Sequence, residues 1–452
     1  MESKIDPREP DLGVRYMKRF AAFLFAAAAA FSLVSCSLPP LPELPDPPRL
    51  SAAPTSAPEP AEEQSRETAE EKISLDILLC SRGDGAEAFF LAPGTGFVDR
   101  FEAENPSVTL RLKLAAAEDM PQILRARIAG GEAPDVVGCD SVLALASGEL
   151  LMSTEEYCPA ELRGGFYPAF LDEAALGRCE LPDLVSVRTL YCSAGLLERS
   201  GAAVPATRAE LEESCRRIAE ACGEEVCPFG LSMTESESAA CFACFAWSGG
   251  GGFVGTDGAW ALGSDENAEA LAFAVDLVNK ALSNPNPAAE SAEELCARFA
   301  EGKLAMLLTD GRLISGALPA LFPAAGEAPG AAVAEATRIA VFRDGSAPDQ
   351  SARSEAVGKF LRFYYAPENY AGRARLAGLL PAAPDAAELL ARGEASYAAW
   401  PEILPFCRLL PVGKPGWDAV SAGLYSIEQL SLLGGDIRAA LDELQASLPG
   451  GA

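Results

Sequence analysis

An α/β fold is predicted by three features of the sequence: strand and helix patterns alternate from Ile73 to Val137, glycine and proline stops separate them, and the globular stretch is too long for a single core. Residues 73–79, Ile-Ser-Leu-Asp-Ile-Leu-Leu, read as a strand entering a core. A glycine-containing loop follows. Residues 97–104 then place Phe97, Val98 and Phe101 on one helical face, and Asn105-Pro106 ends the helix because proline pushes its predecessor out of the helical region. Residues 108–114 alternate apolar and polar side chains, the mark of a half-buried strand. Residues 123–128 are helical again, Gly130-Gly131 stops them, and Pro134-Asp135-Val136-Val137 opens a third strand. Strand, helix, strand, helix, strand implies a largely parallel sheet, since parallel neighbours need a crossover.

Ahead of this domain lies an address. Lys18 and Arg19 precede an apolar run from Phe20 to Val34, the charged and apolar regions of a secretory signal. The run is too short to cross a bilayer as a helix. It ends in Leu33-Val34-Ser35-Cys36, which resembles the bacterial lipobox, whose cysteine is diacylated and becomes the new amino terminus. Residues 1–36 are thus the expected lipoprotein signal peptide, with Met17 a candidate start, and Cys36 is the expected lipidation site. The competing readings are an ordinary signal with a chance cysteine and an uncleaved anchor. Paired acyl chains hold a protein on a membrane where one does not. Residues 37–72 are rich in proline, alanine, serine and charge, cannot bury a core, and read as a disordered tether.

A formal net charge of −29 excludes nucleic acid as a partner, which needs a basic surface, and argues against tight binding to anionic lipid head groups. The sequence has no histidine, the commonest general base and metal ligand. No carboxylate pair stands out by spacing and no nucleophile elbow occurs, so an exported enzyme is the weaker class and no cofactor or metal is expected. Of thirteen cysteines Cys36 accounts for one; the other twelve permit disulfides, Cys158, Cys179, Cys192, Cys215, Cys222 and Cys227 among them, without specifying connectivity. Cys241 and Cys244 stand in an apolar run and read as small core side chains, because no histidine or second Cys-x-x-Cys completes a ligand set. Gly94-Thr95-Gly96 and Gly249 to Gly252 lack phosphate-loop spacing and read as turns.

The segment Phe101-Glu102-Ala103-Glu104-Asn105-Pro106, followed by Ile128-Ala129-Gly130-Gly131-Glu132-Ala133-Pro134-Asp135-Val136-Val137, resembles the opening of the bacterial extracellular solute-binding proteins of the sugar-binding, maltose-binding-protein-like type. Further matches follow in order: Leu190-Tyr191-Cys192-Ser193, Gly201 with Val204-Pro205-Ala206-Thr207, Trp247 with Gly249 to Phe253, Phe299 through Gly302-Lys303 to Met306, and Gly378-Leu379-Leu380-Pro381. Each is weak alone; their succession is specific. The resemblance implies a two-lobed periplasmic-binding-protein fold of type II, with the ligand cleft between lobes joined by three hinge crossings. By that analogy lobe 1 is 73–186 plus 339–399 and lobe 2 is 187–338 plus 400–448. It further implies a monomeric receptor, lipid-anchored at the outer face of the cytoplasmic membrane, that delivers a carbohydrate or related polar solute to ABC permease subunits. The alternative is a ligand-sensing lipoprotein that signals to a membrane partner without transport.

Ligand-binding positions are expected where the sequence matches family positions that face the cleft: Asp140, Tyr191, Trp247, Arg312 and Trp417. Asp140 follows the third strand, at the end where α/β sheets present ligand groups, and reads equally as a helix N-cap. Tyr191 reads as a ligand-stacking phenol or a core aromatic. Trp247 and Trp417 offer flat faces to sugar rings or methylated amines, or fill the core. Arg312 stands near a family aromatic position and reads as a fork for an anionic ligand or as a surface ion-pair residue. Gly177-Arg178-Cys179-Glu180-Leu181-Pro182 also departs from the family's aromatic turn, and both departures point away from a simple oligosaccharide.

Overall fold

The computed structural model describes residues 72–171, 178–310, 314, 316–326, 329–343 and 350–449. The expected signal peptide, Cys36, the expected tether up to Glu71 and Arg312 lie outside the described residues. The early elements follow the sequence reading closely: strand β1 (Ile73–Cys80), the Phe97–Glu104 helix, β2 (Val108–Ala115), the Met120–Ala129 helix and β3 (Val136–Cys139). One helix lies in what reads as loop, Ala86–Leu91, whose six residues are too few to show a period; Phe90 is buried there, 5.4 Å from the Phe97 ring.

The later strands are β4 (Glu180–Ser193), β5 (Cys227–Gly230), β6 (Leu304–Thr309), β7 (Ala317–Ala320), β8 (Ala332–Val341), β9 (Leu380–Pro381) and β10 (Cys407–Leu409). Among the described residues they join in the order β2-β1-β3-β8-β4-β6-β5, with β10 on β8 and β7 and β9 on β4. β1 is parallel to β2 and β3, and β5 is parallel to β6. The expected parallel character stops at β8, which runs antiparallel to both β3 and β4.

Burial explains why β4 and β8 are the spine. Almost every residue of either strand is buried, on both faces, with Glu180, Asp183, Arg188, Thr189, Thr337 and Arg338 buried among the apolar side chains, so burial does not alternate along them. Along both strands neighbouring side chains alternate between two apolar clusters: Val187 and Tyr191 of β4 belong to one and Leu190 and Cys192 to the other, and on β8 Ala332 and Ala334 belong to the first and Val333 to the second. The two strands therefore lie between two cores and contribute side chains to both. The first core gathers Leu75, Phe97, Phe101 and Phe360, and continues along β4 to Tyr191 and Trp400; the second gathers Phe229, Phe242, Phe245, Met306 and Leu424.

The β4–β8 ladder slips between Pro182 and Val185. At the slip the Thr337 hydroxyl accepts from Leu184 N–H at 3.0 Å and donates to Leu184 C=O at 3.3 Å, satisfying groups the broken ladder would leave unpaired. Asp183 is held there by Arg373 at 2.9 Å and by the Tyr364 hydroxyl at 3.0 Å, while the Tyr370 hydroxyl donates to its carbonyl. These partners come from the Gln350–Tyr364 and Pro367–Ala377 helices, so the slip is clamped to two helices of the first core.

The twelve described cysteines are free thiols. Cys241 and Cys244 lie on the Ser238–Ser248 helix, buried along its whole length, as their reading as core side chains expects.

Candidate functional site

A cleft of about 530 Å³ opens where β4 and β8 pass between the cores. Its floor includes Ser186 and Glu335, which face each other across the ladder. Asp140 and Ser141, just past β3, line one side; Asp310, Trp417 and Asp418 line the other.

Asp140 caps no helix. Its carboxylate is exposed and pairs with Arg82, from the loop after β1. Its carbonyl accepts from Arg338 Nη1 at 2.5 Å. Arg338 also approaches Glu180 at 3.3 Å, and Glu180 accepts from the Val142 and Leu143 N–H groups at 2.6 and 2.9 Å. Burial raises the pKa of Glu180, against the lowering pull of Arg338 and of the two backbone donors. The loop that carries Asp140 is thus fixed from beneath by a buried charge pair.

Glu335 is the one exposed residue of β8. Its side chain meets solvent in the open cleft, yet protein surrounds it on several sides. This crowding raises its pKa; Arg188 opposes the rise, while Asp310, Glu237 and Asp140 add to it. Arg188 lies beneath the floor, buried and paired with Glu237. The lining is therefore rich in carboxylate acceptors, with the Arg82 and Arg338 guanidiniums already engaged by the protein.

The expected positions separate. Asp140 and Trp417 line the cleft; Trp417 opens the Trp417–Leu432 helix, half-buried, with its ring 5.5 Å from Phe253. Tyr191 is 1% exposed in the first core, 6.3 Å from the Trp400 ring, and burial raises its pKa. Trp247 is 7% exposed in the second core, between Phe253 at 5.8 Å and the Arg408 guanidinium at 5.8 Å. The structure does not bring these two rings to the cleft. The glycine run after Trp247 is a turn, as read: Gly252 donates to Asn267 Oδ1 at 2.9 Å and accepts from Asn267 Nδ2 at 2.7 Å.

Sequence reasoning passed over Arg82, Ser186, Asp310, Glu335, Arg338 and Asp418. Glu335 had a partial signal, an acidic residue three positions before Arg338 in a strand made otherwise of alanine, valine, isoleucine and threonine. Arg82 had none, because its role depends on Asp140, which is distant in sequence.

Two apolar cores that share the β4–β8 spine, with a polar cleft opening at it, define a two-lobed α/β protein. Residues 91–371 match the family described as bacterial extracellular solute-binding protein. That is more than half of the chain, and the chain belongs to this family. A protein of Brucella abortus strain 2308, named as a binding protein, is 26% identical over 330 residues, 71% of this chain and 80% of the relative. The cyclic α-maltosyl-1,6-maltose binding protein of Arthrobacter globiformis superposes with a TM-score of 0.68 at 19% identity, over 82% of this chain and 97% of that one. Maltose-bound MalE3 of T. maritima gives 0.60 at 18% identity, over 82% and 98%. The GacH receptor of Streptomyces glaucescens GLA.O, solved unliganded and with acarbose, gives 0.59 at 16%, over 84% and 100%.

Proposed function

We propose that the chain is an exported receptor that captures a carbohydrate or related polar solute and delivers it to the permease subunits of an ABC importer. The cleft at the β4–β8 crossing carries this reading. Its carboxylates suit hydroxyl donors and Trp417 suits a ring face, while hinge closure would remove both from water. The structural neighbours named for maltose and its relatives support a sugar-like ligand. In this reading the lobes comprise 73–186 with 339–399 and 187–338 with 400–448; Asp140, Glu335 and Trp417 contact the ligand; and no catalysis or cofactor is involved. Arg312, Tyr191 and Trp247 remain assigned to the ligand only through the family pattern. Acylation at Cys36 would hold the receptor, a monomer, at the outer face of the cytoplasmic membrane.

A thermal-shift screen of neutral sugars, acidic sugars, amino acids, peptides and polyamines against the purified chain tests this. A ligand at a hundredfold excess over its Kd stabilises the folded state by about 2.7 kcal/mol. A specific shift that disappears in Trp417→Ala supports the reading; a folded protein that responds to none of these classes contradicts it.

A further inference from the structure

The molecule carries a second chemical feature beside the cleft. β1 and β3 are parallel neighbours in the register Leu79↔Gly138, so the next residue of each, Cys80 and Cys139, stand side by side at the strand ends. Neighbouring strands lie about 4.8 Å apart, within the range of roughly 4.4–6.8 Å that a disulfide spans between Cα atoms. Both thiols belong to the same face: Cys139 is part of the small apolar cluster with Leu78 and Val137, and Cys80 packs against it. Both also line one cavity of about 30 Å³.

We propose that Cys80 and Cys139 are a redox-responsive dithiol whose oxidation to a disulfide orders the rim of the cleft. The placement gives the reason. Cys139 directly precedes Asp140, and Cys80 stands two residues before Arg82, so the strand ends that would be joined carry the ion pair on the cleft wall. A covalent bond behind that pair would restrict the loop after β1 and the turn after β3 together.

The chemistry divides by access. Cys80 is half-buried and Cys139 is 5% exposed. Burial raises both thiols, Cys139 to about 12, whereas the Arg82 guanidinium partly offsets the rise at Cys80. Cys80 is therefore the thiol that meets an external oxidant, a small-molecule or protein disulfide. Its thiolate attacks one sulfur of the oxidant, forming a mixed disulfide and expelling one thiolate. Cys139, losing its proton, then attacks the Cys80 sulfur and expels the second. The chain loses two protons and two electrons, and the oxidant disulfide becomes two thiols.

This inference does not depend on the ligand, and its test reads the protein alone. The purified chain is equilibrated in glutathione buffers of increasing oxidising poise, alkylated, digested and mapped by mass spectrometry. A Cys80–Cys139 linked peptide is expected, absent from Cys80→Ser and from Cys139→Ala, each checked for folding by circular dichroism. Hydrogen exchange of the amides at 81–85 and 140–144 should slow about tenfold on oxidation and recover with reductant. The proposal is overturned if both thiols remain alkylatable at the most oxidising poise, if Cys80 pairs elsewhere, or if the disulfide forms with no change in exchange at those two loops.

Discussion

Asp183 and Arg373 meet at 2.9 Å with 8% and 4% of their side chains exposed, at the point where β4 slips against β8 on its way between the cores. The guanidinium also lies 3.5 Å over the Tyr364 ring. A charge pair this deep is weak evidence of net stabilisation, but breaking it leaves a buried charge without a partner. Its value here is positional, because it fixes the backbone of the slip to the Gln350–Tyr364 and Pro367–Ala377 helices.

Replacing Arg373 by Met keeps much of the volume and strands Asp183. The expected loss is about 3–5 kcal/mol. Chemical denaturation of wild type and variant measures it, and a loss under 1 kcal/mol would show that the clamp is dispensable.

Glu428 sits on the Trp417–Leu432 helix with no exposure, and the Ser238 hydroxyl beside its carboxyl only partly offsets the cost of burying a charge there. Burial pushes its pKa up to about 8, from an ordinary value of 4.5. The folded state thus holds a proton that the unfolded state releases, so stability falls as pH rises from about 4.5 to 8, by about 1.4 kcal/mol per pH unit for this group at most. Glu428→Met removes the term, and its stability relative to wild type should grow across that window. Parallel stability–pH curves for the two proteins would refute the assignment.

Gly83 follows β1 with φ +79°, and a Cβ there would come within 2.0 Å of the Leu376 carbonyl oxygen. Gly83→Ala should cost about 1–3 kcal/mol through strain and the forced displacement of the Pro367–Ala377 helix end. A melting temperature equal to wild type would show that the loop adjusts freely.

Glu335 offers a pH test of the cleft. Its raised pKa means that the carboxylate is lost, on acidification, at a higher pH than an ordinary glutamate. If it accepts a hydrogen bond from the ligand, affinity falls as pH drops through that range, and Glu335→Gln flattens the profile at a level about tenfold weaker. Calorimetric titration with a ligand from the screen provides the measurement.

The opening elements were legible because local rules decide them: Asn105-Pro106 stops a helix whatever surrounds it, and 108–114 alternates because one face is solvated. Tyr191 shows where local rules end. A tyrosine in a strand satisfies a cleft pattern and a core pattern alike, and only the arrival of Trp400 from far along the chain makes it core. Trp247 is similar, enclosed by Phe253 and Arg408. Glu335 shares its strand with another charge, Arg338, and its place on the cleft floor exists only once Ser186 lies opposite. The Asp183 clamp had no local signature, since its partners come from two helices almost two hundred residues later.

The pairing of Val136 with Val341 has a consequence for the order in which the chain can fold. Every contact between β3 and β8 closes a loop of about two hundred residues, and such loops are slow to form. β1, β2 and β3 can associate early, but their open edge waits for β8, and the Gln350–Tyr364 helix that covers Phe97 and Phe101 comes later still. The amino-terminal core therefore stays unfinished until most of the polypeptide has been made. A chain whose first core closes this late stays open to unfolded-chain binding partners through most of its synthesis.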